Sequence, residues 1–506
     1  MTSPAWALPP RLFRWLVFAA LLPFAAVVLM RWTDPPSATD GDYAHYLLHA
    51  KTLAEGRAYT DIGYIYTDMN LVGPRVQPPG WPLVLAPFVA VFGTHSPVFK
   101  LLESLLVAAF GVMTCWYFVR RGDTTTGIIA AAVVPLALET QYATSSAISD
   151  PLFCILVWST LMLADADHPS DWRRGVTLAL MTVAALSVRV AGVALIPALL
   201  LYAILRRRDH GVKVLAPLVV LAAGAVVFAF FAFDQIPFLG RTVRQLSSLR
   251  LSELVRTYRL ALTTGALYPF GSNIANDVYH VLVAIPLVVG GGLFLRRQFK
   301  SVLACFVLAY ATVLLVSPVR EPRYAWPLIP LVMVFITQGL SWMGARFLPA
   351  NLKPAIPRLI LVMVAAVTIG AAVQLARKPA RPSLLGDPDT MALFDWVRVN
   401  SDTAKMRVVF TNPRVLTLET DVPAMGIPFG DANEVIAELD RKGITHVVVP
   451  RLFAVLRSER NLSAYVAERP SQFPKAFANA TYDVRRFVAR PEVARDSGSS
   501  LLLRPQ

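Results

Sequence analysis

The stretch "TDGDYAHYLLHAKTLAEG", residues 39–56, places two carboxylates, Asp40 and Asp42, shortly after an apolar run at 12–30. A carboxylate beside hydrocarbon is costly, so its presence there asks for a function, with a solvated loop acid as the plain alternative. The chemistry it offers is proton acceptance: an alcohol is a poor nucleophile until a base within about 3 Å takes its proton. Read as a helix, 42–56 puts Asp42, Tyr46, Ala50 and Leu53 on neighbouring turns of one face, and Gly56 closes it. At the start of a helix, Asp42 would also serve as an ordinary cap favoured by the helix dipole.

Cations come from later in the chain. Arg320 and Arg323 stand in "SPVREPRYAW", and Arg189 interrupts an apolar run at 175–205. A guanidinium fork matches the oxygens of carboxylates and phosphates, so these arginines are candidates to hold an anionic group. Each also has a structural reading: Arg320 paired with adjacent Glu321, and Arg189 in a buried ion pair. His45 and His49 have the i, i+4 spacing of a helical metal face, but no HExxH is present. Solvent or interface histidines are the default, the metal set is empty, no cofactor is indicated, and a divalent cation is the lesser reading. Tyr59, Tyr64, Tyr66 and Trp81 in the same loop read first as headgroup-level anchors, then as a stacking surface.

The elements that must position these groups are mostly membrane helices. The 506-residue chain is 55% hydrophobic and only 16% charged, with a mean hydropathy of +0.53. A soluble chain would have about a quarter of its residues charged. The net charge of +15 does not indicate nucleic acid, because Arg and Lys gather at the ends of apolar runs as topology signals do. Cys115, Cys154 and Cys305 lie inside apolar segments and read as core residues. The N-terminal run lacks a small-x-small cleavage site, which makes it a first membrane helix.

About eleven spans are expected, near 12–30, 98–119, 125–141, 149–164, 175–188, 190–205, 213–233, 278–295, 301–317, 325–343 and 356–375. With the N-terminus cytoplasmic, every inner connection is basic, from Arg11 and Arg14 to Arg346, Lys353 and Arg358. The outer connection at 234–277 also carries arginines, Arg241, Arg244, Arg250, Arg256 and Arg259, but its length exempts it; a plain interfacial helix is the first reading there. Residues 31–97, 234–277 and everything after about 376 then face outward. "QPPGWPLVLAPFVAVFG" is too short to span and is expected to lie in the interface as an amphipathic helix. Two domains follow: a membrane domain at 1–376, including the outer loop 31–97 with interfacial helices, and a soluble α/β domain at 377–506. In the second, helices are expected at 387–400 and 431–443 and strands at 406–410 and 445–450. It has no GxGxxG or Walker loop.

The pattern Asp-x-x-x-Tyr-x-x-x-Ala-x-x-Leu-x-x-Gly from Asp42, followed by "PPGWPLVLAPFVAVFG", resembles the first outer loop of the GT-C superfamily. More closely it is similar to the branch of bacterial protein O-mannosyltransferases and aminoarabinose transferases, glycosyltransferase family 39-like. "SSAISDPLFCILVWSTLML", "LSVRVAGVALIPALLLYAILRRR", "REPRYAWPLIPLV" and "KGITHVVVP" resemble later features of that superfamily in the same order. The resemblance implies a polytopic α-helical GT-C-like membrane protein with a C-terminal soluble α/β domain. It implies an inverting transferase that moves a hexosyl or pentosyl group from a polyprenyl-phosphate-linked donor to a hydroxyl or amine of a glycan, lipid or protein acceptor. The setting would be the periplasmic face of a bacterial inner membrane, with membrane lipid as a partner and no nucleic acid. Asp42 matches the family's base, with Asp40 as a backup off the pattern. Arg323, with Arg320 and Arg189, would bind lipid phosphate, and Asp150, Tyr46 and Tyr324 would support the site. A lipid-linked glycan polymerase or ligase, or a flippase or transporter, are the competing classes. The first would favour catalytic residues in 234–277, the second broken helices at the midplane.

Overall fold

The computed structural model describes residues 10–34, 41–67, 73, 77–94, 97–139, 147–166, 172–206, 217, 219–221, 223–224, 267, 269–270, 272–317, 321–377, 384–401, 405–451 and 457–488. The expected span at 213–233, the arginines at 241–259, Asp40 and Arg320 fall outside them, wholly or in large part. The chain divides into two compact units, one of residues 1–62 with 74–383 and one of 63–73 with 384–506.

The first unit is helical. Its early helices are α1 (Pro10–Met30), α2 (Asp42–Ala54), α3 (Gly80–Phe92), α4 (Val98–Arg120), α5 (Thr124–Glu139), α6 (Asp150–Asp165) and α7 (Trp172–Val188). A 3₁₀ turn (Val190–Ala194) leads into α8 (Leu195–Leu205). Then come α9 (Asn273–Gln298), α10 (Val302–Val316), a 3₁₀ turn (Pro322–Leu328), α11 (Ile329–Phe347) and α12 (Ile356–Arg377). Among the described residues, Arg11–Met30, Val98–Arg120, Asn273–Gln298, Pro322–Phe347 and Lys353–Arg377 are long and apolar enough to cross a membrane. Thr124–Ala137, Val190–Leu205 and Val302–Val316 are apolar but shorter. The expected break at Arg189 is present: that residue takes an extended backbone between α7 and the 3₁₀ turn.

Basic residues at the junctions between helices close helix ends. Arg174 donates through Nη2 to the carbonyls of Leu163, Ala164 and Ala166, which α6 leaves without intrahelical partners. Arg121 pairs with Asp165, and Tyr117 Oη donates to the same carboxylate at 2.8 Å. All three cysteines are buried and free.

α3 departs from expectation. It is a helix, but not an amphipathic one: Trp81, Pro82, Leu85 and Val89 are buried, while Leu83, Val84, Val91 and Phe92 are exposed. A helix apolar all round has no polar face to turn to water. Trp81 is likewise no headgroup anchor, since it is fully buried.

The second unit is α/β. Its helices are α13 (Pro388–Asn400), α14 (Pro413–Thr420), α15 (Ala432–Arg441) and α16 (Arg457–Glu468). Its strands are β1 (Tyr64–Ile65), β2 (Val408–Val409), β3 (Ala424–Met425), β4 (His446–Pro450), β5 (Lys475–Ala478) and β6 (Tyr482–Arg486). They form one sheet in the order β1-β3-β2-β4-β6-β5. β1, β3, β2 and β4 run parallel, and the β5–β6 hairpin adds antiparallel to β4. The helix starts read from sequence are real caps. Asp387 accepts from Thr390 N, and Asp431 and Glu434 form a reciprocal capping box ahead of α15. Val409, Met425, Val435, Leu439, Val447, Leu462 and Phe473 are part of the core on which the helices pack. Edge strand β1 comes from residues 63–73, early in the chain, which a boundary drawn at 376/377 does not reveal.

Candidate active site

Gly41 adopts a left-handed φ of 59° and is the N-cap of α2, without a side-chain cap bond. Asp42 is therefore not the cap. It occupies the first turn, and its carboxylate bonds elsewhere. Arg323 Nη2 donates to Asp42 Oδ2 at 2.7 Å, across 281 positions of chain. Gln77 Nε2 approaches Asp42 Oδ1 at 3.4 Å. One turn on from Asp42, Tyr46 is buried and its hydroxyl lies 2.8 Å from Ser149 Oγ. Burial raises the phenol's pKa well above its ordinary value, against the opposing pull of Arg189, so Tyr46 keeps its proton.

Ser149 is the N-cap of α6, and Asp150 follows in its first turn. Asp150 pairs with Arg189, and Arg323 Nη1 lies 4.0 Å from the same Asp150 oxygen. Arg189 Nη1 also reaches Ser149 Oγ at 3.5 Å, and its guanidinium sits 4.9 Å from the centre of the Tyr324 ring. Arg323 Nε is paired with Glu321. The turn that carries Arg323 is pinned by Trp158 Nε1 to Pro327 O at 2.9 Å and by Tyr310 Oη to Tyr324 O at 2.9 Å.

Four segments thus converge: the start of α2, the start of α6, the break after α7, and the 3₁₀ turn before α11. The arrangement brings together Asp42, Tyr46, Asp150, Arg189, Arg323 and Tyr324. Asp40 and Arg320 lie outside the described residues. Glu321 pairs with Arg323, two residues on in the chain. Ser149, Gln77 and Glu321 complete the cluster, and only tertiary structure finds the first two; neither has a sequence pattern of its own. Arg323 faces three carboxylates, so its side chain, 8% exposed, is the hub of the cluster. Glu321, at 41%, is the most exposed of the three partners.

His45 and His49 are fully buried rather than solvent or interface residues. Their rings stack at 4.7 Å, and His49 stacks on Tyr59 at 4.0 Å. His49 Nδ1 is 2.8 Å from Tyr59 O, and Tyr59 Oη donates to Gln77 O at 2.8 Å. They therefore brace the loop that carries Gln77. Among the described residues, no group of three His, Cys, Asp or Glu side chains is placed to hold a metal ion.

A family model for dolichyl-phosphate-mannose-protein mannosyltransferase matches residues 76–233. No curated protein matches the chain. Among solved structures, ArnT from Cupriavidus metallidurans bound to undecaprenyl phosphate aligns at 15% identity and a TM-score of 0.59, over 96% of this chain and 99% of that one. The apo state of the same protein aligns at 15% identity and 0.55, over 94% and 98%. The archaeal oligosaccharyltransferase AglB from Archaeoglobus fulgidus, in complex with an inhibitory peptide and a dolichol-phosphate, aligns at 13% and 0.54, over 86% and 69%. The fold is that of ArnT and AglB, and the chain, with five described helices long and apolar enough to cross a membrane, is a multi-pass membrane protein.

Proposed function

We propose that this chain is an inverting membrane glycosyltransferase that moves a hexosyl or pentosyl group from a polyprenyl phosphate to an acceptor hydroxyl or amine, with Asp42 as the base. The observation that carries the proposal is the Asp42–Arg323 pair at 2.7 Å, joined through Asp150 to Arg189. A base and two arginines on one cluster are what such a transfer requires. The acceptor oxygen or nitrogen bonds to the anomeric carbon and gives its proton to Asp42. The bond from that carbon to the phosphate oxygen breaks, and its electron pair leaves on the lipid phosphate. Positive charge building on the sugar is favoured by the carboxylates, and negative charge on the phosphate by the arginines.

In this structure Arg323 is committed to carboxylates. Entry of a lipid phosphate is simplest where its oxygens replace Glu321, the most exposed partner, on Nε, while Nη2 keeps Asp42 in place. Arg189 stacks over Tyr324, a neighbour that allows a planar cation to turn its edge toward a ligand. The reaction would take place at the periplasmic face of a bacterial inner membrane, which the basic connections expected on the opposite side support. No divalent cation is needed in this scheme, since two arginines face the leaving group.

The test is Asp42→Asn, assayed in membranes supplied with polyprenyl-linked sugar. General-base removal lowers transfer about 10²- to 10⁴-fold. The variant should remain membrane-inserted and leave the lipid-linked sugar unconsumed. Normal transfer by this variant rejects Asp42 as the base.

A further inference from the structure

We infer that Trp81 is a positioning residue for this site, acting through the backbone of Ala147; the inference rests on the glycosyltransferase reading only for its functional arm. Ala147 has a φ of 40°, and Asp421 is the other non-glycine residue with positive φ among the described residues. Asp421 is the C-cap of α14, a common place for a left-handed residue, and a short polar side chain tolerates it. Ala147 has no such excuse. Its methyl group disfavours the conformation, so something must hold it there.

Trp81 supplies that hold. Its indole Nε1 donates to Ala147 O at 2.8 Å, and both residues are buried. Indole is a donor with no acceptor capacity, and a buried donor left without a partner is costly. The position of Trp81 is itself fixed by its neighbour. A Cβ at Gly80 would lie 2.6 Å from Ser187 O, so the glycine lets α3 approach the end of α7 closely, two residues before Arg189. The consequence is local. Two residues after Ala147 comes Ser149, in contact with Tyr46 and Arg189, and then Asp150, paired with Arg189. The left-handed backbone at Ala147, three residues before Asp150, sets the direction in which α6 begins. Without the indole bond the turn relaxes to negative φ, and the Ser149 hydroxyl and Asp150 carboxylate move from their partners.

Trp81→Phe keeps most of the ring and removes the donor. Ala147→Gly removes the penalty for positive φ and leaves the turn able to keep its shape unaided. Hydrogen exchange in the detergent-solubilised full chain reads the device without any assay of transfer. Trp81→Phe should speed exchange in the first turn of α6, where Phe153 N donates to Ser149 O, by about tenfold, the scale of a left-handed alanine's penalty. The double variant should return to within about threefold of the parent. In transfer, Trp81→Phe should lower kcat by a similar factor of about ten with KM for the lipid-linked donor little changed. Ala147→Gly alone should match the parent, and the double variant should recover.

Unchanged exchange in Trp81→Phe overturns the inference. So does faster exchange that Ala147→Gly fails to restore, since Trp81 would then act only by filling space. Restored exchange with unaltered transfer in Trp81→Phe overturns the positioning role. A parent chain that transfers no sugar refutes the glycosyltransferase reading instead, and exchange still decides the Trp81–Ala147 device.

Discussion

Arg323 shows how much one side chain can be asked to do. Its guanidinium presents nitrogens in a fixed plane, and here they face Asp42, Glu321 and Asp150 at once. A lysine carries the same charge on a single nitrogen and cannot bridge three acids in that geometry. Removing one partner from a buried pair costs about 3–5 kcal/mol, because it strands the other charge. Arg323→Lys is a milder change of the same kind. On the mechanism proposed above, it should lower transfer about 10- to 100-fold, with the loss falling mainly in kcat, because the proposed base would leave its working geometry. Steady-state kinetics on the lipid-linked donor checks this. An Arg323→Lys protein with parental kcat would show that charge alone suffices and that the fork is incidental.

At the scale of elements, close approach of backbones decides where helices cross. α9 and α11 meet through a glycine on each side. A Cβ at Gly339 would lie 2.0 Å from Pro286 O, and one at Gly290 would lie 1.7 Å from Phe335 O. Both obstacles are backbone atoms, which cannot swing aside as a side chain can. Such crossings suit a membrane, where packing at short range replaces the hydrophobic effect as the force between helices. Gly339→Ala should therefore force α9 and α11 apart and destabilise the chain by about 1–3 kcal/mol. A lowered thermal midpoint in detergent checks it, and Gly292→Ala serves as the control because a Cβ there meets open space. The same logic places α3. Gly80 brings it against the end of α7, and that contact, rather than any polar face, fixes the helix that holds Trp81.

For the molecule as a whole, the chain enters the α/β unit twice. It contributes 63–73 early and 384–506 late. Ala424 N donates to Gly63 O, Tyr64 and Ile65 pair with Ala424 and Met425, and Ile65 packs against the core of that unit. Placing a charge on that apolar contact should cost about 1–3 kcal/mol. Ile65→Asp is thus expected to speed protease cleavage within 384–488 while the membrane helices stay uncut. Equal resistance of variant and parent would mean that β1 is dispensable to the unit.

The amino-acid sequence alone determined the class of this protein. Apolar runs of membrane length, basic residues at their ends and an abrupt change of composition after Arg377 depend on residue type and period, which are local properties. Helix starts at Asp387 and Asp431 and the stop at Gly56 were legible for the same reason: a cap is made within four residues. Asp42, Arg189 and Arg323 stood out as charges in apolar surroundings. What joins them did not. Ser149, Gln77 and the indole of Trp81 are ordinary residues whose roles come from partners 103, 35 and 66 positions away. Strand β2 was legible inside the β-branched run 406–410, but β1 and β3 carry two residues each, too few for any alternation to show. His45 and His49 read as solvent or interface residues because spacing says nothing of burial. Only the fold decided that they lie inside, and that one arginine would serve three acids, because those outcomes depend on which distant segments pack together.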